Sequence, residues 1–119
     1  MNTALWAGQV LLALVFAASG LMKISWDKER LITSGQTGVQ PFSPGVIKAV
    51  AACELLAVIG LTVPWATGIA PILTPLAATG LAAVMVGAIS SHVYLREPRN
   101  VAITTTLFVM CLLVAWGRF

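Results

Sequence analysis

Charged residues are scarce in this chain of 119 residues, because seven Lys and Arg and four Asp and Glu make up only 9% of it. A soluble domain carries roughly 25% charged residues, and a small one must cover a large surface with polar groups. The scarcity excludes a soluble monomer, and 59% hydrophobic residues exclude a disordered chain. Nucleic-acid binding is not indicated either, because the bases stand between apolar segments and form no patch.

Motifs for catalysis and metal binding are also missing. The sequence contains no Walker loop, dinucleotide fingerprint, nucleophile elbow or metalloprotease motif. Its two cysteines, Cys53 and Cys111, form no C-x-x-C pair and are expected to be buried apolar residues. With one histidine they make no metal site. The sequence therefore favours a protein without a metal and without catalytic activity of its own.

The chain does contain four long apolar segments, and a membrane-spanning helix needs about 20 such residues. Proline marks the expected stops, with Pro64 ending the second segment and Pro98 separating the last two. Pro75 predicts a kink or a late start in the third. Short connections predict antiparallel neighbours. We predict an all-α integral membrane four-helix bundle with up-down connectivity, in a single transmembrane domain of residues 1–119 with spans at about 4–24, 46–63, 69–93 and 100–117.

The connection after the first segment, residues 25–43, is long and polar, and a short interfacial helix is expected near residues 26–32. A secretory signal peptide is the alternative interpretation of the first segment. That segment lacks a basic beginning, however, and Gln9 and Lys23 interrupt its apolar character. A spanning helix is the favoured interpretation.

The basic residues lie almost all on one side of the predicted bundle. Side A is defined as the side that holds the N-terminus, and side B as the side that holds loops 25–45 and 92–100. Side B receives six of the seven bases and side A only Arg118. The positive-inside rule then makes both loops cytoplasmic and places both termini outside. We expect a bacterial-type inner (plasma) membrane, with an aromatic belt on side A formed by Trp6, Trp65 and Trp116.

Glu54 is the exceptional residue, because it lies in the middle of the second apolar segment. A charge inside the membrane must be paired or functional, and Lys23 is the candidate cation. With Trp6 and Trp65 at equal depth, Lys23 and Glu54 are offset by about 9 Å along the helices. Their side chains can just bridge that offset. A structural ion pair and a functional carboxylate both remain open.

Other polar residues share faces with this pair. Gln9, Phe16 and Lys23 lie on one face of the first helix, and a stripe from Thr74 to His92 lies on one face of the third. A polar funnel that opens to side B and narrows at Glu54 is one interpretation. The alternatives are an interface anchor for Lys23 and a solvated loop histidine for His92. The candidate ligand-binding or proton-handling residues are Glu54, Lys23, Gln9, His92, Ser19 and Thr74.

Several sequence strings resemble the DoxX-like family of small four-helix membrane proteins. They are Gln9-Val-Leu-Leu-Ala-Leu-Val-Phe16, Ser19-Gly-Leu-Met-Lys23, Glu54-Leu-Leu-Ala-Val-Ile-Gly60, Leu73-Thr-Pro-Leu-Ala-Ala, Met85-Val-Gly-Ala, and His92 before Arg96-Glu97. The resemblance covers essentially the whole chain. It implies a relation to a membrane subunit linked to thiosulfate:quinone oxidation, to a membrane oxidoreductase assembly and to a receptor-assembly chaperone. It marks the six candidate residues as a family signature without giving them roles.

Three functions follow as hypotheses. The first is a non-catalytic subunit or assembly factor of a membrane complex that binds a hydrophobic small molecule, a lipid or a quinone. The second is a quinone-linked oxidoreductase subunit that uses a partner's cofactor. The third is a proton-coupled small-molecule transporter. The expected partners are the lipid bilayer, a hydrophobic small molecule, and either a second copy or a membrane complex, but no nucleic acid. No motif encodes a cofactor.

Overall fold

A computed structural model describes residues 2–119, which form five α-helices and no strand. They are α1 (Asn2–Ser25), α2 (Lys28–Thr33), α3 (Pro44–Thr67), α4 (Leu73–Tyr94) and α5 (Pro98–Arg118), with a single 3₁₀ turn at Thr37–Val39. All but α2 are long and apolar enough to cross a membrane. The predicted all-α membrane four-helix bundle is confirmed.

The four long helices form a closed ring. α1 packs against α3, α3 against α4, and α4 against α5, which returns to α1. The longest dimension is 40 Å, enough to cross a hydrocarbon layer about 30 Å thick. Large apolar side chains cover the outside, and Leu14, Leu56 and Val93 are 65%, 70% and 59% exposed. Only lipid is a suitable solvent for such a surface.

Apolar side chains from all four long helices fill the centre of the ring. Its largest buried members are Leu12, Phe16, Leu61 and Leu81, joined by Cys111 and Val114. The expectation for the cysteines is half wrong, because Cys111 is buried whereas Cys53 is exposed on the outer face of α3. A free thiol is apolar enough for a lipid-facing position.

A second, smaller apolar cluster lies on side B, where α2 packs below the ring. It consists of Leu31 in α2, Val39 in the 3₁₀ turn and Ile47 in α3. Asp27 caps α2 by accepting a hydrogen bond from the backbone N–H of Arg30 at 2.8 Å. The cap explains why the expected short helix begins at Lys28 and not at residue 26.

The expectation that Pro64 ends the second span is wrong, because α3 continues to Thr67. Proline has no N–H, so the carbonyl of Gly60 loses its ordinary donor. The Thr74 hydroxyl of α4 donates to that carbonyl at 2.8 Å. The Gln9 amide of α1 donates to the next carbonyl, that of Leu61, at 2.6 Å. Side chains of neighbouring helices thus donate hydrogen bonds to the backbone carbonyls near Pro64. These hydrogen bonds make the proline tolerable inside a membrane.

The third span starts later than residue 69, because α4 becomes helical only at Leu73. Pro75 therefore falls in the first helical turn, where backbone N–H groups have no partner within the helix. Of the two outcomes expected from this proline, the structure has the late start.

We predict that Thr74→Val destabilises the protein by about 1 kcal/mol, because the Gly60 carbonyl is left without a donor inside the bundle. Thr79→Val is the matched control, since the Thr79 hydroxyl donates only within its own helix, to the Pro75 carbonyl. Thermal unfolding in detergent measures both. Equal stability of the two variants would show that the Gly60 carbonyl needs no side-chain donor.

Candidate ligand-binding site

Lys23 and Glu54 form an ion pair inside the bundle. The Lys23 Nζ donates to Glu54 Oε1 at 2.6 Å, the Glu54 side chain is fully buried, and that of Lys23 is 13% exposed. Side chains on an α-helix tilt toward its N-terminus. Because α1 and α3 are antiparallel, Lys23 leans inward from side B while Glu54 leans toward side B. The two tilts close the offset that separates them along the helices.

Lys48 completes the surroundings of this pair without joining it. Its Nζ donates to the backbone carbonyls of Lys23 and Ile24 at 2.6 and 2.9 Å, and to that of Trp26 at 2.9 Å. Carbonyls at a helix C-terminus lack partners and carry partial negative charge, so a cation stabilises them. Lys48 thereby fixes the end of α1 from which Lys23 projects. Its sequence position indicated only topology.

A cavity of about 410 Å³ lies beside Lys23. Its walls are mostly apolar and come from all four long helices and from the segment before α3, and they include Phe16, Ile47, Met85 and Leu107. The polar side chains in the walls are those of Ser19, Lys23, Gln36, His92, Asn100 and Thr104. A mostly apolar space with a few polar groups is typical of a small-molecule site. The expected funnel does not narrow at Glu54, which is not among the lining residues.

Hydrogen-bond donors are available at the Lys23 end of the cavity. An ammonium group has three N–H donors, and one of them is used by Glu54. The Ser19 hydroxyl, which also lines the cavity, makes no hydrogen bond within residues 2–119 and can donate as well. This end of the cavity therefore suits a group that accepts hydrogen bonds.

His92 is not a solvated loop histidine, because it lies in the last turn of α4 and is only 9% exposed. Its Nδ1 lies 2.8 Å from Glu97 Oε1, and the Thr37 hydroxyl donates to the same oxygen at 2.9 Å. These hydrogen bonds, that with His92 first, hold the pKa of Glu97 below its ordinary value. Glu97 therefore stays ionised at neutral pH and below, and it can accept from both groups. No pattern in the sequence predicts this contact among His92, Glu97 and Thr37.

The six candidate residues divide into two groups. Lys23, Ser19 and His92 line the cavity, with Glu54 directly behind Lys23. Gln9 and Thr74 are buried farther toward side A and are bonded to carbonyls of α3. Neither lines the cavity. A role for any of the six in ligand binding stays a prediction.

Arg118 is a buried residue whose importance the sequence did not reveal. It is 7% exposed, and its Nε donates to Gln9 Oε1 at 2.7 Å. Its Nη1 donates to Asn2 Oδ1 at 2.7 Å, and the guanidinium lies 4.3 Å from the centre of the Trp65 ring. Amide oxygens and an aromatic face thus replace the carboxylate that a buried cation usually needs. The feature of the sequence that could have indicated this role is the expected belt of tryptophans on side A, at the same depth as Arg118.

The part of the sequence that forms this bundle and its cavity also identifies the family of the protein. The model of the DoxX-like family matches residues 7–115. The chain belongs to the DoxX-like family. The match includes Lys23, Glu54 and His92, and with four spanning helices it makes this DoxX-like protein a multi-pass membrane protein. No curated protein and no solved structure matches the chain.

We predict that Lys23→Met lowers the free energy of unfolding by about 3 kcal/mol or more, because it leaves the Glu54 carboxylate buried and unpaired. The double variant Lys23→Met with Glu54→Met should regain most of that loss, since two apolar side chains replace the pair. Denaturant unfolding in micelles measures both. A double variant no more stable than Lys23→Met would contradict the assignment of this loss to the unpaired carboxylate.

Proposed function

We propose that this DoxX-like protein binds a hydrophobic small molecule or a lipid and serves as a non-catalytic subunit or assembly factor of a membrane complex. The observation that supports the proposal is the cavity of about 410 Å³ with Lys23 at one end. Pockets for small molecules typically measure about 300–1,000 Å³. A bilayer-dissolved molecule can leave its tail among apolar side chains while its head group meets the donors.

The charge of the site favours a neutral head group with hydrogen-bond acceptors. Lys23 and Glu54 form an ion pair without net charge. The N–H donors of Lys23 that Glu54 does not use can still bind an acceptor in a defined direction. Ring carbonyls of a quinone and ester carbonyls of a lipid both have this chemistry. A bound quinone is also the link to the oxidoreductase alternative, in which a partner supplies the redox cofactor.

The orientation proposed for this protein has both termini outside and loops 25–45 and 92–100 in the cytoplasm of a bacterial-type cell. The distribution of the bases supports it, because six of the seven belong to side B. In this orientation the Lys23 end of the cavity is near the cytoplasmic surface. Dimerisation, or assembly with another membrane protein, is compatible with the apolar outer faces.

Filling the cavity tests the proposed binding. Ser19→Phe places a bulky side chain in the cavity, whereas Ala18→Phe places the same side chain on the exposed face one residue away. We predict that Ser19→Phe reduces the amount of lipid or quinone that co-purifies in mild detergent severalfold and that Ala18→Phe leaves it unchanged. Native mass spectrometry and solvent extraction provide the measurement. The proposal fails if wild type carries and binds no such molecule, or if both variants retain it equally.

Proton-coupled transport is the second candidate function, favoured by one observation. Glu54 is fully buried, one of its oxygens is unpartnered, and its cationic partner lines a cavity. If transport occurs, Glu54→Gln should abolish substrate-driven proton flux in proteoliposomes. An amide does not ionise and therefore cannot bind and release the transported proton. Wild-type protein without flux for any of a panel of amphipathic substrates would remove this candidate.

A further inference from the structure

A loop makes part of the wall of the cavity on side B, next to the helix residues Lys23, His92 and Asn100. Between α2 and α3 the chain contributes five lining residues, which are Gly35, Gln36, Gly38, Val39 and Phe42. A loop wall is the part of a cavity that can move without breaking a spanning helix. We call residues 34–42 the strap.

The strap is attached to α1, α2 and α3 mainly through apolar contacts. Val39 is 5% exposed and packs with Leu31 and Ile47. The Lys28 Nζ also donates to the Phe42 carbonyl at 2.7 Å. Gly35 has a φ of +111°, a backbone conformation in which a side chain is strained, so the strap turns sharply at its beginning. This half of the attachment is continuous with the second apolar cluster.

On the opposite side the strap is held to α4 and to the start of α5 by polar contacts. Thr37 donates its hydroxyl hydrogen to Glu97 Oε1 at 2.9 Å, and Ser91 donates to the Gly38 carbonyl at 2.6 Å. The same Glu97 oxygen bonds His92. A Cβ on Gly38 would lie 2.9 Å from His92 Nε2. The backbone of the strap is therefore packed closely against the imidazole ring. Glu97 thus joins the strap, α4 and α5 through one oxygen.

We propose that the strap is a gate that opens the cavity to the aqueous phase on side B and that Glu97 is its latch. A local opening breaks few contacts and leaves the rest of the protein folded, and the contacts of the strap with α4 and Glu97 are mainly the two hydrogen bonds of Thr37 and Gly38. Release of Thr37 and Gly38 lifts the strap from α4 while Val39 keeps it attached to Leu31 and Ile47. The opened mouth lies over Ser19 and Lys23. The physiological meaning of the gate rests on the proposed function, whereas its movement can be measured without any ligand.

Thiol labelling in nanodiscs tests the gate. Cys53 and Cys111 are first replaced by Ala, and Ser19→Cys then places one thiol in the cavity. The reagent is the anionic, membrane-impermeant sulfonatoethyl methanethiosulfonate. Glu97→Gln and Thr37→Val should each raise the labelling rate about fivefold, which corresponds to the loss of one net hydrogen bond. Glu29→Gln is the matched control, because Glu29 is an exposed acid of α2 outside the latch.

Gly38→Ala provides an independent variant, because its methyl group collides with His92 while every latch hydrogen-bonding group remains. It should also accelerate labelling. The proposal is overturned if the latch variants label at the wild-type rate, or if Glu29→Gln accelerates labelling as much as they do. Faster labelling of the latch variants in a protein that binds no lipid or quinone would support the gate and contradict the proposed function. Ligand binding with unchanged labelling would do the reverse.

Discussion

A carboxylate in hydrocarbon must find its partner within the protein, and the contact between Glu54 and Lys23 meets that constraint. The pair joins α1 to α3 on the side B half of the bundle. It also places a cationic side chain in the wall of the cavity, because the ammonium that pairs with Glu54 has further N–H groups to offer. The two side chains therefore hold α1 and α3 together inside the bundle, and Lys48 fixes the end of α1 from which Lys23 projects.

Polar side chains elsewhere in the bundle replace backbone donors and counter-ions in the same water-poor medium. Gln9 shows this most clearly, since its amide N–H₂ serves the Leu61 carbonyl of α3 while its oxygen accepts from Arg118 of α5. One side chain of α1 thus connects three helices on the side A half. Thr74 likewise donates to the Gly60 carbonyl, which has no backbone donor because residue 64 is proline. The bundle is held by a polar contact set at each end and by apolar packing between them.

The number of spans, the up-down order and the interfacial helix could all be predicted from the sequence, because hydropathy and helix caps are local properties. The stop at Pro64 was mispredicted because the rescue of its backbone comes from other helices. The axial offset alone predicts a contact of Lys23 with Glu54 only at full stretch, because it does not include the opposite tilts of side chains on antiparallel helices. The contacts of Glu97 could not be foreseen, because Thr37 lies 60 residues away and is brought close only by the folded loop.

The separation of 31 positions in sequence between Lys23 and Glu54 has a consequence for biosynthesis. The chain emerges N-terminus first, so the first spanning helix reaches the insertion machinery before the acidic partner of its lysine does. Until then the ammonium of Lys23 stays at the level of the lipid headgroups, where a long basic side chain is tolerated. Only when the second spanning helix follows can the ammonium move inward, so the first two spanning helices settle in the bilayer as a hairpin.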